Sequence, residues 1–383
     1  MYNLKYQKKE VKLDNSLSFW KYFDQEERVL FYNPLNDELI MGAKRLKSFE
    51  QGESYSNYLY IFSSRTFFES VKDQKWAEFG NETVAFQYYL VEKKGKQTLY
   101  YLEDIVEIEN LEIQFYKHQY KLSKDDYEEW EELFANVIHE VSSKKVNKVV
   151  ISREVEIKCD TLVNIESVLK NLLEKNQNSF IFAYYKNNKT FLGATPEILV
   201  QKEKDNIITY ALAGTILRSD EDDELQKMIL LNDQKNRYEH QIVLDKIADV
   251  MKQFINEVII DETKILTLKN LHHLQTRIYG TGNSTLSEWV ARFHPTPALG
   301  GDPVDKALEI IKMHEKHERG LYASPIGIIN ENGDGIFVAG IRSALIYGSK
   351  VFAYTGVGIV DGSECRDEYI ETNNKLQTII ESL

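Results

Sequence analysis

Lys148 opens the run Lys148-Val149-Val150-Ile151-Ser152-Arg153, where strand alternation puts Lys148, Val150 and Ser152 on one face and Val149, Ile151 and Arg153 on the other. One reading is an edge-strand lysine that blocks unwanted pairing. The other is a partly desolvated lysine able to serve as a general base. Glu197 follows Ala194-Thr195-Pro196 and precedes Ile198-Leu199-Val200. Thr195 and Pro196 could open a helix, but the β-branched residues that follow favour a strand and leave Glu197 at its entrance among apolar neighbours. A carboxyl there is pushed up in pKa, as a general acid requires.

Glu239 shares a helix face with Ile242 and Val243, and Glu368, Glu371 and Lys375 share one at i, i+3 and i+7. Carboxylates directed inward from two helices would repel unless a cation lay between them. Oxygen donors without His or Cys then favour Mg²⁺, although a solvated charged face explains either helix alone. Gly356-Val357-Gly358 and Gly300-Gly301 would let backbone N–H groups approach an anion, and tight turns use the same residues. Arg342, read as lying on a strand within Gly340-Ile341-Arg342-Ser343-Ala344, suits bidentate carboxylate recognition.

These residues must be positioned by a sizeable scaffold. The chain has 383 residues, 43% of them apolar and 28% charged, which supplies an ordinary globular core and excludes a peptide-sized or disordered molecule. Its 47 basic against 60 acidic residues, a net of -13, argue against a nucleic-acid surface. Cys159 and Cys365 are the only cysteines, so neither a disulfide framework nor a zinc site is expected. No apolar run reaches signal or membrane-spanning length, and a cytoplasmic protein is expected.

Residues 1 to about 125 are rich in Tyr, Phe and charge, with strand-like runs at 58–62 and 84–90 and no chemical motif. Ser123 and Asp125-Asp126 read as the cap of an amphipathic helix to Val141 through Trp130, Leu133, Phe134, Val137 and Ile138. Strand-like runs follow at 147–157, 178–185, 191–201 and 207–215, then one long helical pattern from Asp222 to about Ile259. Further strands are expected at 264–279, 321–330, 335–347 and 350–360, with helices near 284–293, 303–318 and 366–383. No linker or repeat divides the chain. Mixed elements without regular βαβ alternation predict an α+β fold of large sheets with helices packed outside.

The ordered set KVVISR (148–153), GATPEIL (193–199), ALAGT (211–215), NRYEH (236–240), HHLQT (272–276), HPTPALGGDP (294–303), ERGLYASPIG (318–327), GIRSA (340–344), TGVGIV (355–360) and EYIETNNK (368–375) resembles the chorismate-utilising enzymes, specifically their isochorismate synthases. The resemblance covers roughly residues 120–383. It implies a single large α+β unit of two packed antiparallel sheets, with residues 1–120 a sheet-forming part of the same fold and 121–383 the chorismate-binding catalytic region.

By position, the resemblance implies that Lys148 activates water for attack on ring carbon 2 of chorismate and that Glu197 protonates the hydroxyl leaving carbon 4. Glu239 and Glu371 match Mg²⁺ ligands, with Glu368 acting through water. Gly214, Thr215, Ala298, Arg342, Gly356 and Lys375 match substrate contacts, and His273 and Tyr322 would line the pocket. Aminodeoxychorismate synthases carry a lysine where this chain has Ala213, and anthranilate synthases lack the lysine at 148. Salicylate synthases share that lysine but differ from HPTPALGGDP. The resemblance therefore implies isochorismate formation without a glutaminase subunit; a monomer is expected, and the absence of a secondary-metabolism module in the sequence favours menaquinone synthesis. A siderophore or salicylate pathway and an inactive chorismate-binding homologue are the alternatives.

Overall fold

The computed structural model describes residues 5–50, 52–102, 105–123, 127–219 and 221–383. The proposed cap at Asp125-Asp126 lies outside the described residues. Strand alternation organises the interior: in Arg28–Asn33, Val29 and Phe31 enter one buried cluster while Leu30 enters another, so both faces of the strand are covered.

The strands form one antiparallel network with two halves. In the first, Lys148–Cys159 pairs with Lys350–Val360, and the ladder continues through Ser343–Tyr347, Lys189–Thr195, Phe180–Lys186, Arg28–Asn33 and Glu38–Ser48. The second runs from Tyr60–Ser64 through Pro325–Asn330, Gly335–Ala339, Ile198–Glu203 and Asn206–Leu217 to Leu271–Thr281. Glu82–Lys93 joins them, pairing with Glu38–Ser48 and with Tyr60–Ser64. A register shift between Arg45 and Lys47, beside Lys44 at φ 62, bends this junction. The two expected sheets are thus two halves of one continuous ladder.

Phe31, Phe182, Phe191 and Leu345 of the first half share a core with Phe62, Ile326, Ile336 and Val338 of the second. Helices cover the outer surfaces. Ile165–Lys175 and Cys365–Ile380 pack on the first half, and Gln234–Lys252 and Leu286–Phe293 on the second. The helix Tyr127–Ser142 buries Trp130, Leu133, Phe134, Val137 and Val141 against Val149, Ile151, Val357 and Ile359. Each such side chain contributes about 2 kcal/mol of burial.

Several sequence expectations need correction. The helical pattern from Asp222 is two helices, Asp223–Asn232 and Gln234–Lys252, because Asp233 turns extended and its carboxylate accepts the Asn236 N–H as a new cap. Ile229 and Phe254, placed on its apolar face, are exposed. The helix expected over 303–318 is Val304–His314, since Glu315 turns inward to pair with Arg319. The run 321–330 is a strand only over Pro325–Asn330, because Tyr322 N–H closes a turn onto the Arg319 carbonyl. Arg342 is not on a strand: the run breaks between Gly335–Ala339 and Ser343–Tyr347, and Arg342 sits in the bend at φ 51.

Candidate active site

The two halves of the ladder meet the helices Gln234–Lys252 and Cys365–Ile380 around a cavity. The site residues singled out in the sequence line it except Glu368, Gly300 and Gly301, and the Gly300 N–H is donated to the Thr296 carbonyl and not offered to an anion.

Lys148 begins an interior strand, pairing with Val360 on one side and Asp302 on the other, and is 1% exposed. The edge-strand reading is excluded. Alternation works as expected here: Lys148 and Val150 face the cavity while Val149 and Ile151 enter the outer core. The Lys148 Nζ lies 2.8 Å from Glu239 Oε1. Burial alone would push the Glu239 carboxyl up, but Lys148, with Lys375 and Lys235, holds it below the usual carboxylate range.

Glu197 occupies the Pro196-Glu197 connection between Lys189–Thr195 and Ile198–Glu203. Its N–H is donated to the Thr195 hydroxyl, and its carbonyl accepts the Ala339 N–H. These bonds fix the connector and leave the side chain to the cavity. Burial pushes its carboxyl up to about 7 even though Lys148, Lys375 and Arg342 favour the charged form.

A hydrogen-bonded chain forms the opposite recognition wall. Gly214, at φ 78, makes the bulge that shifts register between Ala213 and Thr215, and Thr215 N–H is donated to the Asn236 side-chain oxygen. The Arg342 guanidinium, which can only donate, lies 3.1 Å from His273 Nε2, so Nδ1 carries the proton toward the Thr215 hydroxyl 3.0 Å away. Burial, with Arg342 and Lys375 nearby, holds His273 well below its ordinary pKa. Arg342 is drawn down to about 10 by burial, against Glu371, Tyr322 and Glu197.

Lys375 Nζ lies 2.6 Å from Glu371 Oε1 and donates to the Gly356 carbonyl at 3.0 Å. Tyr322 stacks on Tyr354, and its hydroxyl would meet a Cβ on Gly356 at 2.8 Å. Ala298 closes the wall beside Leu299. Glu368 is 2% exposed and lies behind the cavity, paired with Lys235 at 2.5 Å. Burial and the neighbouring Glu371 push its carboxyl up to about 6 against Lys235.

Glu239, Glu371 and Glu368 offer only oxygen donors, the chemistry that a hard divalent cation such as Mg²⁺ takes. Glu371 and Glu368 repel one another, which adds to burial in raising Glu368. Among the described residues no three His, Cys, Asp or Glu side chains stand gathered as a ready-made metal site, and each of these carboxylates is closed by a lysine.

A model of the family described as chorismate binding enzyme matches residues 103–383. The chain belongs to this family. Within the family it is 38% identical over 268 residues to isochorismate synthase MenF of Bacillus subtilis, a match covering 69% of this chain and 56% of that protein. It is 33% identical over 270 residues to the salicylate biosynthesis isochorismate synthase of Pseudomonas aeruginosa, covering 68% of this chain and 56% of that one. The chain spans about half the length of the curated relatives it matches. The family fold extends over the whole chain: menaquinone-specific isochorismate synthase MenF of Escherichia coli superposes with a TM-score of 0.85 at 21% identity, covering 99% of this chain and 95% of that one. Anthranilate synthase component I of Streptococcus pneumoniae does so with a TM-score of 0.71 at 17% identity, covering 98% and 92%.

Two site residues escaped the sequence reading. Lys235 was legible, standing four residues before Glu239 on the same helix face. Gly358 was noted only for its backbone, whereas its missing side chain is what matters: a Cβ there would lie 2.4 Å from Lys148 Cε and 2.6 Å from Glu239 Oε1.

Proposed function

We propose that the protein is an isochorismate synthase, interconverting chorismate and isochorismate with Mg²⁺. The observation that carries this reading is the pairing, in one cavity, of the buried Lys148 amine with a Glu197 carboxyl pushed up to about 7. The Glu197 carboxyl can give a proton near neutral pH, and the Lys148 amine faces the same cavity as the proposed base.

Water adds at ring carbon 2 as Lys148 accepts its proton, the double bond shifts, and the carbon 4 hydroxyl leaves as water with the proton from Glu197. Bonds made and broken are of one kind, so the reverse reaction uses the same groups in exchanged roles. Arg342 and the Gly356 backbone take the enolpyruvyl carboxylate, while Gly214, Thr215 and Ala298 set the ring position and His273 holds Arg342. Tyr322 limits the cavity beside Gly356. Mg²⁺ held by Glu239 and Glu371, with Glu368 through water, would neutralise and orient the ring carboxylate. No covalent adduct is needed, and Ala213 offers no amine to form one.

Menaquinone synthesis is the proposed destination, supported by the MenF name of the Bacillus subtilis relative, which in Escherichia coli belongs to a menaquinone-specific enzyme. The name of the Pseudomonas aeruginosa relative favours a salicylate route as the second reading. The proposed enzyme works in the cytoplasm as a monomer without a glutaminase subunit, nucleic acid or membrane. Among the described residues no helix is long and apolar enough to cross a membrane.

The test is incubation with chorismate, with and without Mg²⁺, and separation of products by chromatography. Isochorismate should form only with Mg²⁺, and added isochorismate should return chorismate. Dominant salicylate with pyruvate, or no turnover with Mg²⁺, would overturn the reading.

A further inference from the structure

Lys235 and Glu239 lie one turn apart on Gln234–Lys252, and Glu368 and Glu371 one turn apart on Cys365–Ile380. Lys235 reaches between the helices to Glu368 at 2.5 Å. Glu239 and Glu371 also act on this ammonium, which they and Glu368 hold above its ordinary pKa despite the cost of burial. Lys148 and Lys375 close the other two carboxylates from inside the cavity, whereas Lys235 does not line it. Its side chain is 38% exposed, against 1% for Lys148, so it alone of the pair has a direct way into solvent.

Each carboxylate of the cluster has one lysine partner: Glu239 has Lys148, Glu371 has Lys375 and Glu368 has Lys235. Without Lys235 the carboxylate cluster would carry uncompensated charge in a buried setting, which is costly. With Lys235 in place, a divalent cation arriving one helical turn away meets a like charge. The proposed chemistry has no use for this lysine, and the electrostatics give it one.

We infer that Lys235 is the built-in counter-cation of the metal-free site, that it neutralises the Glu368 end of the carboxylate cluster, and that a divalent cation binds in competition with it. This rests on the Mg²⁺ reading proposed above. Binding then moves the Lys235 ammonium from Glu368 toward solvent, releasing Glu368 to face the cation. The lysine keeps the two helices together between metal-bound states and weakens the hold on the metal.

The experiment measures Mn²⁺ binding to the full chain by calorimetry and by the electron paramagnetic resonance signal of free Mn²⁺, with thermal melts in its absence and presence. Lys235→Gln and Lys235→Met are compared with the unsubstituted protein, and Glu239→Gln identifies binding at this site. Both Lys235 variants should bind Mn²⁺ about five- to tenfold more tightly. Their melting temperatures should be lower without Mn²⁺ and rise more when it is added. Variants folded only with Mn²⁺ would support the same conclusion. Unchanged or weaker binding would make Lys235 a structural clamp and overturn the inference alone, as would variants unfolded in both conditions. If the unsubstituted protein shows no Mn²⁺ site that Glu239→Gln removes, the metal reading itself fails and takes the inference with it.

Discussion

Lys148 and Glu239 are joined Nζ to Oε1 at 2.8 Å, and the contact exists because residue 358 has no side chain. A strand lysine and a helix carboxylate 91 positions away in sequence meet over a glycine of the neighbouring strand. The proposed base and a proposed metal ligand are therefore a single unit, and displacing either disturbs both.

Gly358→Ala should reduce turnover about a hundredfold while leaving the fold intact. The added methyl meets the movable ends of Lys148 and Glu239 and not backbone, so the side chains yield and their geometry is lost. Product assays alongside thermal melts check this. A large fall in melting temperature would place the effect in folding instead.

Lys148→Ala should lower turnover by about a thousandfold or more. Glu239 keeps Lys235 and Lys375 as neighbouring cations, so the variant should fold. Chromatographic assay and circular dichroism measure the two outcomes. Normal activity in a folded variant would remove Lys148 from the mechanism.

Glu197 supplies a pH signature with a defined sign. Its carboxyl is raised from 4.5 to about 7 on folding, so the folded state binds the proton more tightly than the unfolded state. The associated stability is fully present below about 4.5 and is lost as pH rises through about 7, amounting to about 3 kcal/mol at full shift. Glu197→Gln, which keeps the neutral shape, should gain stability relative to the unsubstituted protein as pH rises from 4.5 to about 7, with the difference levelling off above that, and should lack turnover. Forward turnover of the unsubstituted protein should fall above about pH 7. Parallel melting curves across this range would contradict the assignment.

Arg342→Lys should raise KM for chorismate by about tenfold or more with a smaller effect on kcat. An ammonium keeps the charge but cannot give the planar, paired donors that a carboxylate takes, nor hold His273 Nε2 in the same way. Steady-state kinetics separate the two constants. A fall in kcat at unchanged KM would move Arg342 from binding to the reacting centre.

The acidic balance of the whole chain gives way locally to a cavity in which Lys148, Lys375 and Arg342 all act on Glu197. An anionic ligand is thus compatible with an acidic protein, because local placement of cations outweighs a distant, screened surface field.

Periodicity in the sequence was enough to put Lys148 and Val150 on one strand face, Glu368, Glu371 and Lys375 on one helix face, and Glu197 at the mouth of a strand. These are local properties, set by side-chain spacing within one element, and they survive in the structure. The break at Asp233 rests on a local cap, Asp233 accepting the Asn236 N–H, which the long apolar pattern masked; the bend at Arg342 escaped because it depends on groups far away in the chain. Arg342 is held off the strand ladder where its carbonyl accepts the Ala194 N–H and its guanidinium meets His273. Likewise only the tertiary structure decided that Lys148 pairs with Glu239, that Lys235 pairs with Glu368, and that burial raises Glu197. Those outcomes depend on strand register and helix packing between segments far apart in the chain, and Coulomb and desolvation energies act on the resulting distances, which no local pattern encodes.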